Sequence, residues 1–256
     1  MPTWDERFRR GKYPTEPDPA ALLERWADWL PDGRALDVAT GTGRNAVFLA
    51  EHGYEVDAVD RSRVGLEITM GNARDRGVAD RVNPIRADLT EYGFPTDAYD
   101  VVTVSFYRTV DRLPDVRDAL TEGGVLFVEH HLRTTDEVDL GPSGDRYRFA
   151  ANELLRSCLD MTVLHYEAGR ERHEAERSEA SDRASGGRRD RQGAPPDGRA
   201  GGGSGATDDT RDASREHEER ERHASREADG AVSATARILA RNSTGQRQSY
   251  PFVPTD

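Results

Sequence analysis

The feature that most constrains the fold is a glycine turn between two short apolar segments. The apolar segment Ala35 to Ala39 leads into Thr40-Gly41-Thr42-Gly43, and apolar residues at helical spacing follow up to Ala50. A second apolar segment, Glu55 to Val59, ends at Asp60. This order predicts a βαβ unit that binds a nucleotide, because glycines let the backbone approach a ligand and the start of a helix offers unpaired amides.

The same alternation continues along the chain. Apolar strand patterns recur at residues 82–85, 101–106, 125–128, 161–164 and 232–239, and helical patterns separate most of them. We expect Asp18 to cap the first of these helices, which carries Trp29 on its apolar face, and Ser62 to cap the helix after Asp60. Gly123 and Gly124 are expected to form a turn before the fifth strand, and residues 150–159 to form the last helix. Alternating strands and helices of this length predict a Rossmann-like α/β fold, with a doubly wound, mostly parallel sheet of seven strands. The last two strands are joined by a loop, so we expect them to form an antiparallel terminal hairpin.

That loop is unusual in composition. Residues Glu167 to Ala231 include no Val, Leu, Ile, Met, Phe, Tyr or Trp. Such a segment cannot bury enough apolar surface to offset the entropy of ordering it, and the entropy of closing a loop grows only with the logarithm of its length. We therefore predict an N-terminal lid and helix (1–30), a folded domain (31–166 plus 231–245) and a disordered low-complexity insert (167–230).

The charge of the chain excludes some partners. The net charge is -12, and Lys12 is the sole lysine. An acidic protein is repelled by nucleic acid and by anionic membranes, so we expect a small-molecule substrate instead. The acid excess favours a salt-adapted source; a GC-rich genome is the alternative explanation of the arginine bias.

The single cysteine, Cys158, leaves no possibility of an intrachain disulfide or a cysteine zinc cluster, and we expect no metal site. Its helical, apolar context predicts buried packing, not a nucleophile. No apolar run reaches the length of a membrane span, and the N-terminus is too polar for a signal peptide. These features predict a cytoplasmic protein; the oligomeric state stays open.

Three features favour S-adenosylmethionine over a dinucleotide as the cofactor. Asp37 precedes the turn, where it can bind the ammonium group of a methionine moiety, whereas a pyrophosphate would be repelled there. Asp60 can accept hydrogen bonds from ribose hydroxyls, and Asp88 follows the third strand within reach of an adenine amino group. The predicted antiparallel hairpin is the third feature.

The segment from Leu36 through Gly43 to Ala46, with Gly53-Tyr54-x-Val56-x-Ala58-Val59-Asp60-x-Ser62, resembles motif I and its sequel in class I methyltransferases. Its Gly-Arg-Asn-Ala run is similar to the tellurite-resistance type. The resemblance covers roughly Trp4 to Cys158 and the last strand. One position departs from the family, because Ala39 stands where the first motif glycine is expected.

The resemblance implies cofactor contacts along the edge of the sheet. Asp37 and Gly41 would lie near the methionine end, Asp60 at the ribose, and Arg61, Asp88 and Leu89 at the adenine. The remaining positions expected around the cofactor are Ala39, Gly43, Asn45 and Ser105.

Candidate acceptor-side residues follow the fourth and fifth strands, at the edge where ligands bind in open α/β sheets. Tyr107 and Arg108 stand at the family's motif IV, and no Asn or Asp followed by Pro-Pro and an aromatic residue is present, which argues against methylation of nucleic-acid amines. His130, followed by His131, is a candidate base, although a loop role is the alternative.

Other positions allow two interpretations. Trp4, Arg7, Phe8 and Tyr13 fit either a lid over the cofactor or a poorly ordered terminus. Arg146 and Arg148 fit either an anion-binding loop or an ordinary surface.

Together these patterns predict an S-adenosylmethionine-dependent methyltransferase that acts on a small molecule or a metalloid oxyanion. Two alternatives stay open: an NAD-dependent oxidoreductase, and a non-catalytic cofactor-binding scaffold whose insert recruits partners.

Overall fold

The computed structural model describes residues 3–11, 13–16, 18–108, 110–173, 230–243, 248–252 and 254. The chain divides into two compact units, Met1–Glu171 with Ala234–Asp256, and Arg172–Ser233. In the second unit, His173 donates its backbone amide to the Ala231 carbonyl at 2.8 Å, and its ring lies 2.9 Å from the Ser233 hydroxyl.

The sheet has seven strands, as predicted. They are β1 (Arg34–Val38), β2 (Glu55–Asp60), β3 (Val82–Arg86), β4 (Tyr99–Ser105), β5 (Leu120–His131), β6 (Thr162–Arg172) and β7 (Val232–Arg241). Their spatial order is β3-β2-β1-β4-β5-β7-β6. The pairs from β3 through β5 are parallel, and β7 runs antiparallel to β5, which confirms the α/β fold with an antiparallel terminal element.

Six α-helices are described: α1 (Trp4–Arg9), α2 (Ala21–Arg25), α3 (Arg44–Glu51), α4 (Arg63–Asp75), α5 (Leu113–Asp118) and α6 (Glu153–Arg156). Apolar side chains fill both faces of the sheet. Leu23, Trp26 and Phe48 belong to the cluster on the face of α2 and α3, and Phe149 and Leu154 to the opposite one. No helix of the described residues is long and apolar enough to cross a membrane.

The helix starts follow local capping chemistry. Ser62 accepts a hydrogen bond from the Gly65 amide at 3.1 Å and caps α4, as predicted. Near the N-terminus, the predicted cap at Asp18 is wrong: α2 begins at Ala21, where the Ala20 amide is held by Asn45. The helix is short, and Trp29, expected on its apolar face, is 46% exposed.

The fifth strand is longer than the predicted segment 125–128. Gly123 and Gly124 lie inside β5 and not in a turn before it, at a register irregularity opposite Tyr99. Gly123 adopts a φ of 84°, and a side chain at Gly124 would lie 3.1 Å from the Tyr99 carbonyl. Glycine there therefore marks a bulge with close backbone approach.

The last elements also differ in length from the predictions. The predicted helix 150–159 is reduced to α6, because Asn152 at a φ of 59° starts the helix late. Strand β6 continues through Arg172, so residues 167–172, predicted to lie in the insert, form strand. The two acids of this segment, Glu167 and Glu171, pair with Arg237 of β7, a stabilisation that apolar periodicity does not reveal. The rest of the predicted insert, 174–229, lies outside the described residues.

Candidate active site

The glycine turn joins β1 to α3 at the carboxyl edge of the sheet. Gly41 and Gly43 adopt φ values of 60° and 87°, in the left-handed region that glycine enters without strain. Ala39 also lies there, with a φ of 58°. The departure from the family pattern therefore falls on a position that favours glycine, and the β-carbon of Ala39 strains the turn.

A helical glycine lets α4 approach this turn. A β-carbon at Gly65 would lie 2.7 Å from the Gly41 carbonyl oxygen, so a larger residue would push α4 away. Thr69, one turn later, donates its hydroxyl to the same carbonyl at 3.1 Å. Sequence reasoning missed both residues, because a glycine inside a helical pattern signals close packing without saying against what.

Asp37 is buried beneath the turn. It is 2% exposed, and its carboxylate accepts hydrogen bonds from the hydroxyls of Thr40 and Thr103, each at 2.6 Å. Burial raises the pKa of Asp37 to about 6, although the two hydroxyls and the positive charge of Arg44 oppose that rise. The carboxylate is thus a poorly solvated acid that a nearby cation would keep ionised.

Asp60, at the end of β2, fixes the turn from the other side. Its two oxygens accept hydrogen bonds from the backbone amides of Gly41 at 2.9 Å and Ser62 at 2.7 Å. Burial raises its pKa, while these amide bonds lower it. Each carboxylate oxygen keeps a second lone pair, so the amide bonds leave acceptor capacity for ribose hydroxyls.

The predicted adenine-side residues lie together. Arg61 follows β2 and Asp88 follows β3, and their side chains form an ion pair at 3.6 Å. Both are largely exposed, and Thr90 donates its amide and hydroxyl to Asp88, which lowers the pKa of that carboxyl. Next to them Leu89 is buried, and Arg112 holds its carbonyl at 2.7 Å.

Asn45 and Ser105 connect the turn to the motif IV region. The Asn45 side chain accepts from the Ala20 amide at 3.1 Å and donates to the Ser105 hydroxyl at 3.0 Å. With Asn45 1% exposed, its amide is committed to the fold. Its geometry therefore supports a role in positioning the turn.

The N-terminal segment covers the turn as an ordered helix. Asp5 of α1 accepts hydrogen bonds from the Ser62 hydroxyl at 2.5 Å and the Val64 amide at 3.3 Å, at the start of α4. The Phe8 ring would lie 3.6 Å from a β-carbon built on Gly41. Rings of Trp4, Phe8 and Tyr13 lie within 6.1 Å of one another. Of the two interpretations, the geometry favours the lid.

An ion network that sequence reasoning missed crosses the same edge. Glu129 of β5 accepts from Arg44 of α3 through one oxygen and from Arg237 of β7 through the other, the latter at 2.6 Å. Arg237 also pairs with Glu167 and Glu171. Burial alone would lower the pKa of Arg237, but the hydrogen bonds to Glu171 and the charge of Glu129 raise it, so it stays charged.

Phe106 follows β4 directly and is an unusual residue of the edge. Its φ of 55° is rare for a large side chain, and the ring is 43% exposed. The ring stacks on His131 at 4.8 Å, and the Arg44 guanidinium lies 5.3 Å from its centroid. A strained, exposed aromatic residue at this place is typical of a functional site.

His130 is the last but one residue of β5, so the alternative of a loop role is wrong. The ring is 2% exposed, and Nε2 lies 2.7 Å from the Tyr147 carbonyl, a partner that requires Nε2 to donate. Nδ1 is buried and has no hydrogen-bond partner among the described residues. Burial lowers the pKa of His130, which leaves a neutral imidazole with a free lone pair on Nδ1.

The other acceptor-side candidates divide into two groups. Arg108 pairs with Glu153 at 2.6 Å, while its buried Nε has no partner among the described residues; burial raises the pKa of Tyr107. Arg148 instead donates to the carbonyls of Pro142 and Leu132, and so braces a loop. Of its two interpretations, the geometry does not support the anion-binding loop, because those carbonyls accept hydrogen bonds from its guanidinium.

The remaining predictions concern Arg146 and Cys158. The Arg146 guanidinium stacks on the Tyr147 ring at 4.5 Å, at the surface. Cys158 is fully buried, and burial raises the pKa of its thiol to about 11. The predicted packing role of the cysteine is confirmed, since such a thiol stays protonated and shielded.

Known proteins match the part of the chain that forms this edge. Residues 35–124 match a family described as a methyltransferase domain. A demethylmenaquinone methyltransferase of Clavibacter sepedonicus is 44% identical over 73 residues, 28% of this chain and 29% of the relative. A ubiquinone/menaquinone biosynthesis C-methyltransferase of Azotobacter vinelandii is 32% identical over 126 residues, 46% and 49% of the two chains. The chain thus spans half or less of these relatives' length.

Solved structures share the fold over most of the chain. TehB from Haemophilus influenzae superposes with a TM-score of 0.58 at 17% identity, covering 93% of this chain and 67% of that one. A Bacillus halodurans protein described as a methyltransferase gives a TM-score of 0.54 at 14% identity, covering 88% of this chain and 99% of that one. Residues 35–124 thus match a methyltransferase domain, and the strand order and the superpositions show that the chain shares its fold with these solved structures.

Proposed function

We propose that the chain transfers a methyl group from S-adenosylmethionine to a small molecule or a metalloid oxyanion. One observation carries the proposal: the glycine turn, Asp37, Asp60 and the Arg61–Asp88 pair lie along one edge of the sheet in the order in which the cofactor's parts follow one another. When bound, the cofactor supplies a methyl group on a sulfonium, which needs alignment more than chemical assistance.

The cofactor contacts follow from this order. Asp37 and Gly41 bind the methionine end, Asp60 accepts from the ribose, and Arg61, Asp88 and Leu89 enclose the adenine. Ala39 and Gly43, the small residues of the turn, shape the cofactor pocket. The hydrogen-bonded pair Asn45 and Ser105 supports the turn and shapes the same pocket. The N-terminal 30 residues act as the lid, since α1 already packs against the turn.

The acceptor-side residues have distinct roles in the proposal. His130 takes a proton from an acidic acceptor through Nδ1, the atom with no partner among the described residues. Arg108 attracts an anion, and Tyr107, a phenol that stays protonated because burial raises its pKa, donates a hydrogen bond. The protein's own contribution is then to align the acceptor, exclude water and receive a proton.

The substrate class rests on sequence features. The Gly43-Arg44-Asn45-Ala46 run is similar to the tellurite-resistance type, which supports a metalloid oxyanion, and the net charge of -12 disfavours nucleic acid. The acid excess and the single cysteine further support the cytosol of a salt-adapted cell as the place of action.

Calorimetry with S-adenosylmethionine, S-adenosylhomocysteine and NAD tests the cofactor. We expect both sulfur compounds to bind, NAD not to bind, and Asp60→Asn to weaken binding while Asp57→Asn, a carboxylate of the same strand away from the turn, does not. Tight binding of NAD alone would contradict the proposal.

A screen for S-adenosylhomocysteine release, run at low and at molar salt, then tests turnover. The acceptors include tellurite, selenite and a panel of small organic anions. Binding of the cofactor without turnover on any acceptor would leave a sensor or scaffold as the better description.

A further inference from the structure

Arg44 is a partly buried cation at the proposed cofactor site to which no role has been assigned. It follows Gly43 and begins α3, and its side chain is 24% exposed. One terminal nitrogen donates to Glu129, but the buried Nε has no hydrogen-bond partner among the described residues. A buried, unsatisfied donor on a charged group costs free energy, so its persistence points to a ligand.

The guanidinium lies above the end of β4. Strand β4 separates β1, which leads into Arg44, from β5, which carries Glu129. The side chain therefore spans the carboxyl end of β4, as its distance of 5.3 Å from the Phe106 ring shows. On the near side, its charge acts on Asp37, which is buried at the end of β1. An acid and a base thus flank the glycine turn within electrostatic reach of each other.

The amino-acid end of S-adenosylmethionine is a zwitterion, with an ammonium and a carboxylate on one carbon. A site that fits both groups needs an acid and a base separated by a few ångströms. Building on the proposed function, which gives the ammonium to Asp37, we propose that Arg44 binds the methionine carboxylate through its Nε and a terminal nitrogen. Arginine suits this contact, because its planar fork matches a carboxylate.

Glu129 is the positioning residue for Arg44. Its second oxygen is held by Arg237, which Glu171 and Glu167 anchor in turn. The carboxylate that orients Arg44 is therefore itself fixed. If Arg44 is replaced, Glu129 still has Arg237, so the change does not leave an unpaired buried carboxylate and the variant is expected to fold.

Calorimetry with two ligands isolates this contact. S-adenosylhomocysteine carries the methionine carboxylate, and 5′-methylthioadenosine lacks the whole amino-acid part. We expect Arg44→Gln to weaken binding of the first by about 10- to 100-fold, the usual effect of losing a hydrogen bond between charged groups, and to leave binding of the second unchanged.

Arg34→Gln is the matched control. Arg34 also pairs with a carboxylate, Asp57 at 3.1 Å, and lies 5.4 Å from an aromatic ring, that of Tyr99, but it precedes β1's buried residues at the opposite end of the strand. We expect unchanged affinity for both ligands. Glu129→Gln should weaken S-adenosylhomocysteine alone, by less than Arg44→Gln, because the amide oxygen still accepts a hydrogen bond.

The possible outcomes separate the inference from the proposed function. Equal affinity of wild type and Arg44→Gln for S-adenosylhomocysteine would overturn the inference, and so would an equal loss for both ligands, which indicates a structural role. A variant that binds both ligands normally but needs more acceptor would assign Arg44 to the acceptor and also overturn it. A wild-type chain that binds neither ligand would refute the proposed function itself.

Discussion

The two ends of strand β1 carry the same arrangement of an arginine, a carboxylate and an aromatic ring, with different surroundings. Before the strand, Arg34 pairs with Asp57 and lies near Tyr99, with 57% of its side chain exposed. After the strand, Arg44 pairs with Glu129 and lies near Phe106, with 24% exposed. The contacts are alike, and the burial of the arginine differs.

The difference separates a structural contact from a binding site. Asp57 receives hydrogen bonds from neutral donors as well, the Tyr99 hydroxyl at 2.7 Å and the Asn83 amide at 2.8 Å, so it does not depend on Arg34. At the carboxyl edge, by contrast, Glu129 is hydrogen-bonded to two charged donors, Arg44 and Arg237. The Nε of Arg44 and the Nδ1 of His130 there have no hydrogen-bond partner among the described residues. Buried hydrogen-bonding atoms without a partner in the fold are therefore candidates to bind a ligand.

The largest effect is expected from removing the shared carboxylate of the buried network. Glu129→Ala leaves Arg44 without its counter-ion and Arg237 with one fewer, and should lower the free energy of unfolding by about 3 kcal/mol. Arg34→Ala, at the exposed end, should cost less than about 1 kcal/mol. Urea unfolding of both variants measures this; equal losses would contradict the contrast between the two ends.

A pH dependence should distinguish Asp37 from Asp57. The pKa of Asp37 is raised to about 6, so its negative charge is present above that pH and is lost as the pH falls through it. Without the charge the ammonium group loses its partner, and affinity for S-adenosylhomocysteine should fall about fivefold from pH 6 to pH 5. Calorimetry across this range should show a flat profile for Asp37→Asn and the wild-type profile for Asp57→Asn. A profile unchanged by Asp37→Asn would speak against this contact.

Two alanines of one strand–turn segment should respond to glycine in opposite ways. Ala39→Gly relieves the left-handed φ of 58° and should stabilise the fold by about 1 kcal/mol. Ala35→Gly, at a fully buried position of β1, should destabilise it by about 1 kcal/mol, since glycine loses more entropy and packs less. Thermal unfolding gives both signs. Destabilisation by Ala39→Gly would mean that the alanine methyl contributes more packing than strain.

The smallest expected effect concerns the lid. Asp5 holds α1 to the start of α4 like an additional N-cap, so Asp5→Asn should reduce affinity for S-adenosylhomocysteine by about two- to fivefold. Asp28→Asn, an exposed acid before β1, is the control and should have no effect. Identical affinities for all three chains would show that α1 does not contribute to cofactor binding.

The site could be predicted from the sequence where its parts are neighbours in the chain. The turn from Thr40 to Gly43 and the cap at Ser62 are visible because local φ values and side-chain to backbone bonds select glycine and serine at those positions. The place of Asp60 at the end of β2 is equally local. Its bonds to the turn were not visible, because they depend on how β2 pairs with β1.

What the sequence determined by itself is the succession of elements and the class of the domain. The spacing of apolar residues predicts strands and helices, because it indicates which face of each segment is buried. Tertiary structure alone brought Glu129 between Arg44 and Arg237, which lie 85 and 108 positions from it. It also determined the left-handed backbone conformation of Phe106 and the length of β5. The spacing of charged residues along the chain does not indicate their distant partners. Their pairing is decided by the order of the strands in the sheet.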